Sequence, residues 1–207
     1  MQIKICGITQ VDQAIAIAQL GIDWLGFICV KASPRYVNAA QIQTILAAVK
    51  AQQTYLPSMP KGVGVFANAT PQQIRATCKQ AGLSVIQLHG SESPEFCQQL
   101  RSAFKAELSD HPPPQIWKVF RVQQTSDLAA TASYATTVDG FLLDAYHPQL
   151  LGGTGHTLDW SKLQRFRPPV PWLLAGGLAP DNVKTAIATV QPAGVDVSSG
   201  VERSPGD

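Results

Sequence analysis

No block of like charge interrupts this sequence: 16 basic and 14 acidic side chains are scattered over 207 residues, and only 14% are charged. That balance offers no basic patch for nucleic acid and no polybasic segment for an anionic membrane surface. Apolar stretches stay well short of the ~18 residues of a membrane span. Asp12 interrupts any signal-peptide core, and Met1–Ile5 already reads as structure. Cysteine is scarce. Cys6, Cys29, Cys78 and Cys97 show neither C-x-x-C pairing nor histidine at zinc-ligand spacing, so they read as reduced thiols of a cytoplasmic protein with no metal. A glycine-rich dinucleotide fingerprint is also missing, because Cys6-Gly7-Ile8-Thr9 follows the first apolar run. What remains is a chain 45% hydrophobic, read as one domain over residues 1–207. That length is enough to bury about 70% of its unfolded surface.

Short apolar runs recur at 3–6, 24–30, 62–66, 85–88, 117–120, 140–143, 172–175 and 195–198. Segments of helical period separate them, at 12–20, 40–51, 71–81, from 94 onward, and at 126–134, 160–166 and 181–190. Thr9 is placed to cap the first. Thr70-Pro71 and Ser93-Pro94 each put a capping side chain before a proline at the first helical position, and Gly82 suits a left-handed C-cap. Strict alternation implies parallel strands with crossover helices, and eight repeats imply an α/β fold of the closed (β/α)8 kind, a TIM barrel. The eighth helix is missing from the repeat: after 195–198 only nine residues follow.

Ligands of such barrels meet the carboxyl ends of the strands. Polar and glycine residues gather there: Cys6 after the first run, Arg35 after the second, His89 after the fourth, Asp144 after the sixth, Gly176-Gly177 after the seventh and Ser198-Ser199-Gly200 after the eighth. Alternation puts Lys4 with Cys6, Gln87 with His89, Leu142 with Asp144 and Asp196 with Ser198 on one face, pointing inward. Lys4 and Asp196 then either neutralise each other as a buried pair or leave Lys4 free to favour the Cys6 thiolate. The glycine clusters after the seventh and eighth runs present bare amides where barrels bind phosphate. A third, Leu151-Gly152-Gly153-Thr154-Gly155-His156, is either a plain connection or a loop that closes over a ligand.

Taken in order, Lys4-Ile5-Cys6-Gly7-Ile8-Thr9, Ser33-Pro34-Arg35-Tyr36, Gln87-Leu88-His89-Gly90, Leu143-Asp144, Gly152-Gly153-Thr154-Gly155, Ala175-Gly176-Gly177-Leu178 and Asp196-Val197-Ser198-Ser199-Gly200-Val201-Glu202 strongly resemble phosphoribosylanthranilate isomerase, the tryptophan-pathway barrel enzyme. The resemblance runs from Lys4 to Glu202. It implies an Amadori rearrangement of N-(5'-phosphoribosyl)anthranilate without a cofactor, in a monomer or a homodimer. It further implies Asp144 as general acid at the furanose ring oxygen and Cys6 as general base at C2'. Arg35 would hold the anthranilate carboxylate. Gly176, Gly177, Ser198, Ser199 and Gly200 would line the phosphate site, and Gly153, Gly155, His89 and Asp196 would also contact the substrate. Two other readings remain: a histidine-pathway sugar-phosphate isomerase, which is expected to carry an aspartate where Cys6 stands, and a barrel that binds phosphate without catalysis.

Overall fold

A computed structural model describes residues 1–106, 112–145 and 159–207. Strands β1 (Gln2–Cys6), β2 (Trp24–Ile28), β3 (Lys61–Phe66), β4 (Val85–Leu88), β5 (Gln115–Val122), β6 (Gly140–Ala145), β7 (Trp172–Leu174) and β8 (Gly194–Val197) pair in parallel in chain order, and β8 closes on β1. The eight-fold alternation therefore does specify a barrel.

Side-chain alternation divides the core in two. Trp24, Val63, Val85, Trp117, Val119, Leu142, Leu173 and Ala175 form a separate cluster inside the barrel. Trp24 and Trp117 meet edge to face there, with ring centroids 4.9 Å apart. The intervening Leu25, Phe27, Ile86, Leu88, Phe141, Leu143, Leu174 and Val197 belong to the larger layer shared with the surrounding helices. A strand buried on both faces has no polar side to spare, which explains why the strand runs read as continuous apolar segments.

Helices α1 (Val11–Ala18), α2 (Ala39–Ala51), α3 (Pro71–Ala81), α4 (Pro94–Lys105) and α5 (Val183–Val190) fill five of the seven expected connections. The Thr70 and Ser93 side chains accept from the N–H of Gln73 and Phe96, and Gly82 adopts φ 69°, as their sequence signals require. Thr9 does not cap α1. The cap position falls on Gln10, and Thr9 Oγ1 instead donates to the Gly206 carbonyl at 2.6 Å.

The fifth and sixth connections are 3-10 turns, Thr125–Tyr134 and Trp160–Leu163, rather than α-helices. In the first, Thr131 and Ser133 donate their hydroxyls to the carbonyls of Leu128 and Ala130, three residues back, which favours the tighter winding. The second runs into Pro168-Pro169, which an α-helix cannot accommodate. After β8 the chain makes a 3-10 turn at Ser199–Val201. It then brings Gly206 against Thr9 and Gln13, at the start of α1.

All four cysteines are free. Burial pushes the Cys29 thiol up to about 12 and the Cys97 thiol up to about 11, and raises Cys78 as well. An unfolded thiol ionises near 9, so above that pH the unfolded chain binds fewer protons than the folded one, and stability must fall. The thermal midpoint should thus be level with respect to these groups below about pH 9 and decline toward pH 11–12. A Cys29→Ala variant should decline less steeply in a differential scanning measurement; an identical slope would remove the thiols as its cause.

Candidate active site

Cys6 is the last residue of β1, and its surroundings come from three strands. Lys4 lies on the same inward face, fully buried, with Nζ 2.8 Å from Oδ1 of Asp196, its register partner on β8. Gly26 is the register partner of Cys6 on β2. A Cβ on Gly26 would stand 2.8 Å from Cys6 Sγ and 3.0 Å from Lys4 Nζ, so a bare backbone leaves room for the thiol and the ammonium to share this space. Burial pushes the thiol above its ordinary pKa, and the Lys4 ammonium and the Gly7 amide oppose that rise. Burial also works against the charge on Lys4, but Asp196 and Cys6 together outweigh it and keep the amine above its usual value.

Asp144 projects inward from β6, nine-tenths buried. Its Oδ1 accepts from the Ala145 N–H at 2.9 Å, and its Oδ2 lies 3.5 Å from His89 Nε2. The latter contact lacks hydrogen-bond geometry, and His89 Nε2 has no other partner among the described residues. Gln87 Oε1, two residues earlier on the same face, is also buried without a partner. Unsatisfied buried polar atoms are uncommon, and two beside one cavity point to groups that a ligand satisfies.

His89 is held from behind. Lys118, on the outward face of β5, donates to the carbonyls of Leu88 and Gly90 at 3.2 and 2.7 Å and to Glu92 Oε2 at 3.2 Å. Glu92 Oε1 accepts from the Asn68 N–H, and Asn68 Oδ1 accepts from the N–H and hydroxyl of Ser91. The carbonyls on either side of His89 are thereby tied to one ammonium.

The loops after β7 and β8 supply backbone. Gly176 and Gly177 take φ values of 89° and 62°, in the region that favours glycine, and a Cβ on Gly176 would collide with Ala145 N. Their amides donate to no described residue. Ser199 and Gly200 precede the first hydrogen bond of their 3-10 turn, from Val201 N–H to Ser198 O at 3.1 Å. Arg35, in the loop after β2, places its guanidinium on Glu202, close to Ser198.

These parts surround one cavity of about 460 Å³, lined by Cys6, Arg35, Gln87, His89, Asp144, Gly176, Gly177, Asp196, Ser198, Ser199 and Gly200, with Ile28, Val30, Pro34 and Leu178 among its apolar walls. Residues 3–207 match the N-(5'-phosphoribosyl)anthranilate (PRA) isomerase family. The chain belongs to this family. N-(5'-phosphoribosyl)anthranilate isomerases of Rippkaea orientalis and Acaryochloris marina are each 52% identical to it over all 207 residues, which span 90% and 92% of those proteins. The phosphoribosyl anthranilate isomerase structure from Thermotoga maritima superposes with a TM-score of 0.81 at 32% identity, covering 100% of this chain and 92% of that one. A phosphoribosyl anthranilate isomerase solved with reduced 1-(o-carboxyphenylamino)-1-deoxyribulose 5-phosphate matches at 30% identity and a TM-score of 0.76, covering 100% of this chain and 91% of that one.

In this isomerase, the ten site residues expected from the sequence that fall among the described residues all border the one cavity. Gly153 and Gly155, with His156, lie outside the described residues. Lys4 pairs with Asp196, as the first alternative has it; it also opposes the rise in the Cys6 pKa but does not bring it below the ordinary value. Sequence reading missed the Lys118–Glu92–Asn68 support, although a lysine inside the apolar run Trp117-Lys118-Val119-Phe120 was a visible signal. It also assigned nothing to Glu202. No helix among the described residues is long and apolar enough to cross a membrane.

Proposed function

We propose that the chain isomerises N-(5'-phosphoribosyl)anthranilate to 1-(2-carboxyphenylamino)-1-deoxyribulose 5-phosphate in tryptophan biosynthesis, with Asp144 as general acid and Cys6 as general base. The observation that carries the assignment is their convergence: a carboxyl group on β6 and a thiol on β1 border the same cavity, between bare glycine amides and an arginine. Acid–base work needs two groups in different environments. Cys6 has an ammonium beside it, and Asp144 has a histidine and a backbone N–H.

In this reading the phosphate sits against the amides of Gly177, Ser199 and Gly200, with Gly176 and Ser198 shaping the loop. Arg35 donates to the anthranilate carboxylate, a planar match for its fork, and Ile28, Val30 and Pro34 flank the ring. Asp144 gives its proton to the furanose ring oxygen. The C1'–nitrogen bond becomes a protonated Schiff base as the C1'–oxygen bond breaks. The Cys6 thiolate then removes the C2' proton, and the C2'–H electrons neutralise the iminium to give an enolamine. Loss of the C2' hydroxyl proton and protonation at C1' complete the ketone. Lys4 supplies the counter-charge that lets a buried thiol ionise, Asp196 holds Lys4, and His89 and Gln87 offer polar atoms to the sugar. Gly153 and Gly155 are assigned to the same substrate on their motif alone.

The scheme is proposed for a monomer or for each half of a homodimer. The reduced cysteines accord with a cytoplasmic setting. Purified protein should consume fluorescent phosphoribosylanthranilate, generated in the cuvette, without added metal or cofactor. Turnover of the histidine-pathway aminoimidazole substrate alone would overturn the assignment, and binding without turnover of either would favour a non-catalytic barrel.

A further inference from the structure

Glu202 follows β8 and does not line the cavity, yet it makes three hydrogen bonds with Arg35, which does. Arg35 Nε donates to its Oε1 at 2.7 Å and its Oε2 at 3.0 Å, while Arg35 Nη2 donates to Oε2 at 2.6 Å. The two side chains are only 10% and 11% exposed, and they lie 167 positions apart in the chain. A guanidinium carries five N–H groups in a rigid plane, and one carboxylate can engage only one edge of it. Glu202 takes the Nε–Nη2 edge. The side-chain hydrogen bonds of Arg35 to described residues all run through Nε and Nη2, which leaves the Nη1–Nη2 edge for a ligand. Arg35 borders the cavity and Glu202 does not, so the pair reaches the cavity through the arginine.

The backbone beneath is shaped for this pair. Gly7 has φ 95°, and a Cβ there would come within 2.8 Å of Arg35 Cδ and 3.0 Å of Glu202 Oε1. Any larger residue beside Cys6 would therefore displace both side chains. Three distant segments, after β1, β2 and β8, meet at this point to hold one arginine in one orientation. Without Glu202 the long arginine arm would have to be ordered by each incoming ligand, and fixing it beforehand removes that cost from binding.

We propose that Glu202 is a positioning residue for substrate selection: it fixes the plane of the Arg35 guanidinium so that the remaining edge receives the aryl carboxylate. This rests on the reading of Arg35 as the carboxylate partner. Its consequence is discrimination between a carboxylated aryl amine and the same amine without its carboxylate.

The test is steady-state kinetics of Glu202→Gln on two substrates, phosphoribosylanthranilate and its aniline congener, N-(5'-phosphoribosyl)aniline. The glutamine keeps the shape and loses the charge-assisted bonds. KM for the anthranilate substrate should rise about tenfold with kcat nearly unchanged, while kcat/KM for the aniline congener stays level. A lowered thermal midpoint with unchanged selectivity would make Glu202 merely structural and overturn the proposal. A fall in KM would also overturn it, since Glu202 would then be competing with the substrate for Arg35. Should Glu202→Gln fail to fold, Glu202→Asp keeps the charge but shortens the reach, and it must reduce the same selectivity. Arg35→Ala separates the two layers of the argument. If that variant keeps its selectivity, the reading of Arg35 itself fails; if it loses selectivity while Glu202→Gln does not, only the role of Glu202 fails.

Discussion

Replacing Cys6 with alanine should lower kcat by ~10²-fold or more, the usual contribution of a positioned general base, with little change in KM. The thiol occupies a small space against bare Gly26, so the substitution removes one sulfur atom and leaves β1 paired on both sides. Folding should survive, and the thermal midpoint would check it. Cys6→Ser should be almost as slow, because a hydroxyl beside Lys4 is a far weaker acid than a thiol and supplies scarcely any anion. A second readout comes from pH. Burial raises the Cys6 pKa, so the thiolate fraction at neutral pH is below that of an ordinary thiol. If the thiolate is the base, kcat/KM of the unmodified protein climbs with pH on the alkaline side of a normal thiol, and the climb disappears in Cys6→Ala. An alanine variant with undiminished turnover would return Cys6 to the role of a buried hydrophobe.

Asp144→Asn should cost at least as much, ~10²-fold or more in kcat, for a different reason. Asparagine keeps the size of the side chain and an oxygen to accept the Ala145 N–H. It has no acidic proton for the furanose oxygen, so ring opening stalls before any proton leaves C2'. The two variants therefore diverge in isotope effect. With substrate deuterated at C2', Cys6→Ala should show a larger effect than the unmodified protein, because removal of that proton limits its rate. Asp144→Asn should show almost none. Equal isotope effects in both would contradict the division of labour. Binding of the reduced deoxyribulose phosphate compound held by a solved relative should persist in both variants and would show that the cavity is intact.

The barrel was legible in the sequence because it is a repeat of short-range signals. Apolar runs too short for helices, capping side chains before prolines and Gly82 at a helix end each act over a few residues. Even the inward set of Lys4, Gln87, Asp144 and Asp196 followed from strand alternation once the strands were placed. The errors have equally local causes that periodicity does not register. Hydroxyl back-bonding at Thr131 and Ser133 winds one connection into a 3-10 turn, Pro168-Pro169 shortens another, and Thr9 is drawn to Gly206 instead of to a cap.

Lys118 and Glu202 mark the other boundary. A lysine in an apolar run announces a buried partner, but nothing near residue 118 says that it ties the carbonyls flanking His89. Arg35 announces an anion, but the one it holds here belongs to residue 202. By itself the sequence determined the strand order, the inward faces and the residue types at the barrel mouth, since these depend on local pattern. The pairing of Lys4 with Asp196, the approach of ammonium to thiol across Gly26, and the Arg35–Glu202 contact over Gly7 were decided only when the strands closed. They depend on which distant backbones meet and where a missing Cβ leaves space.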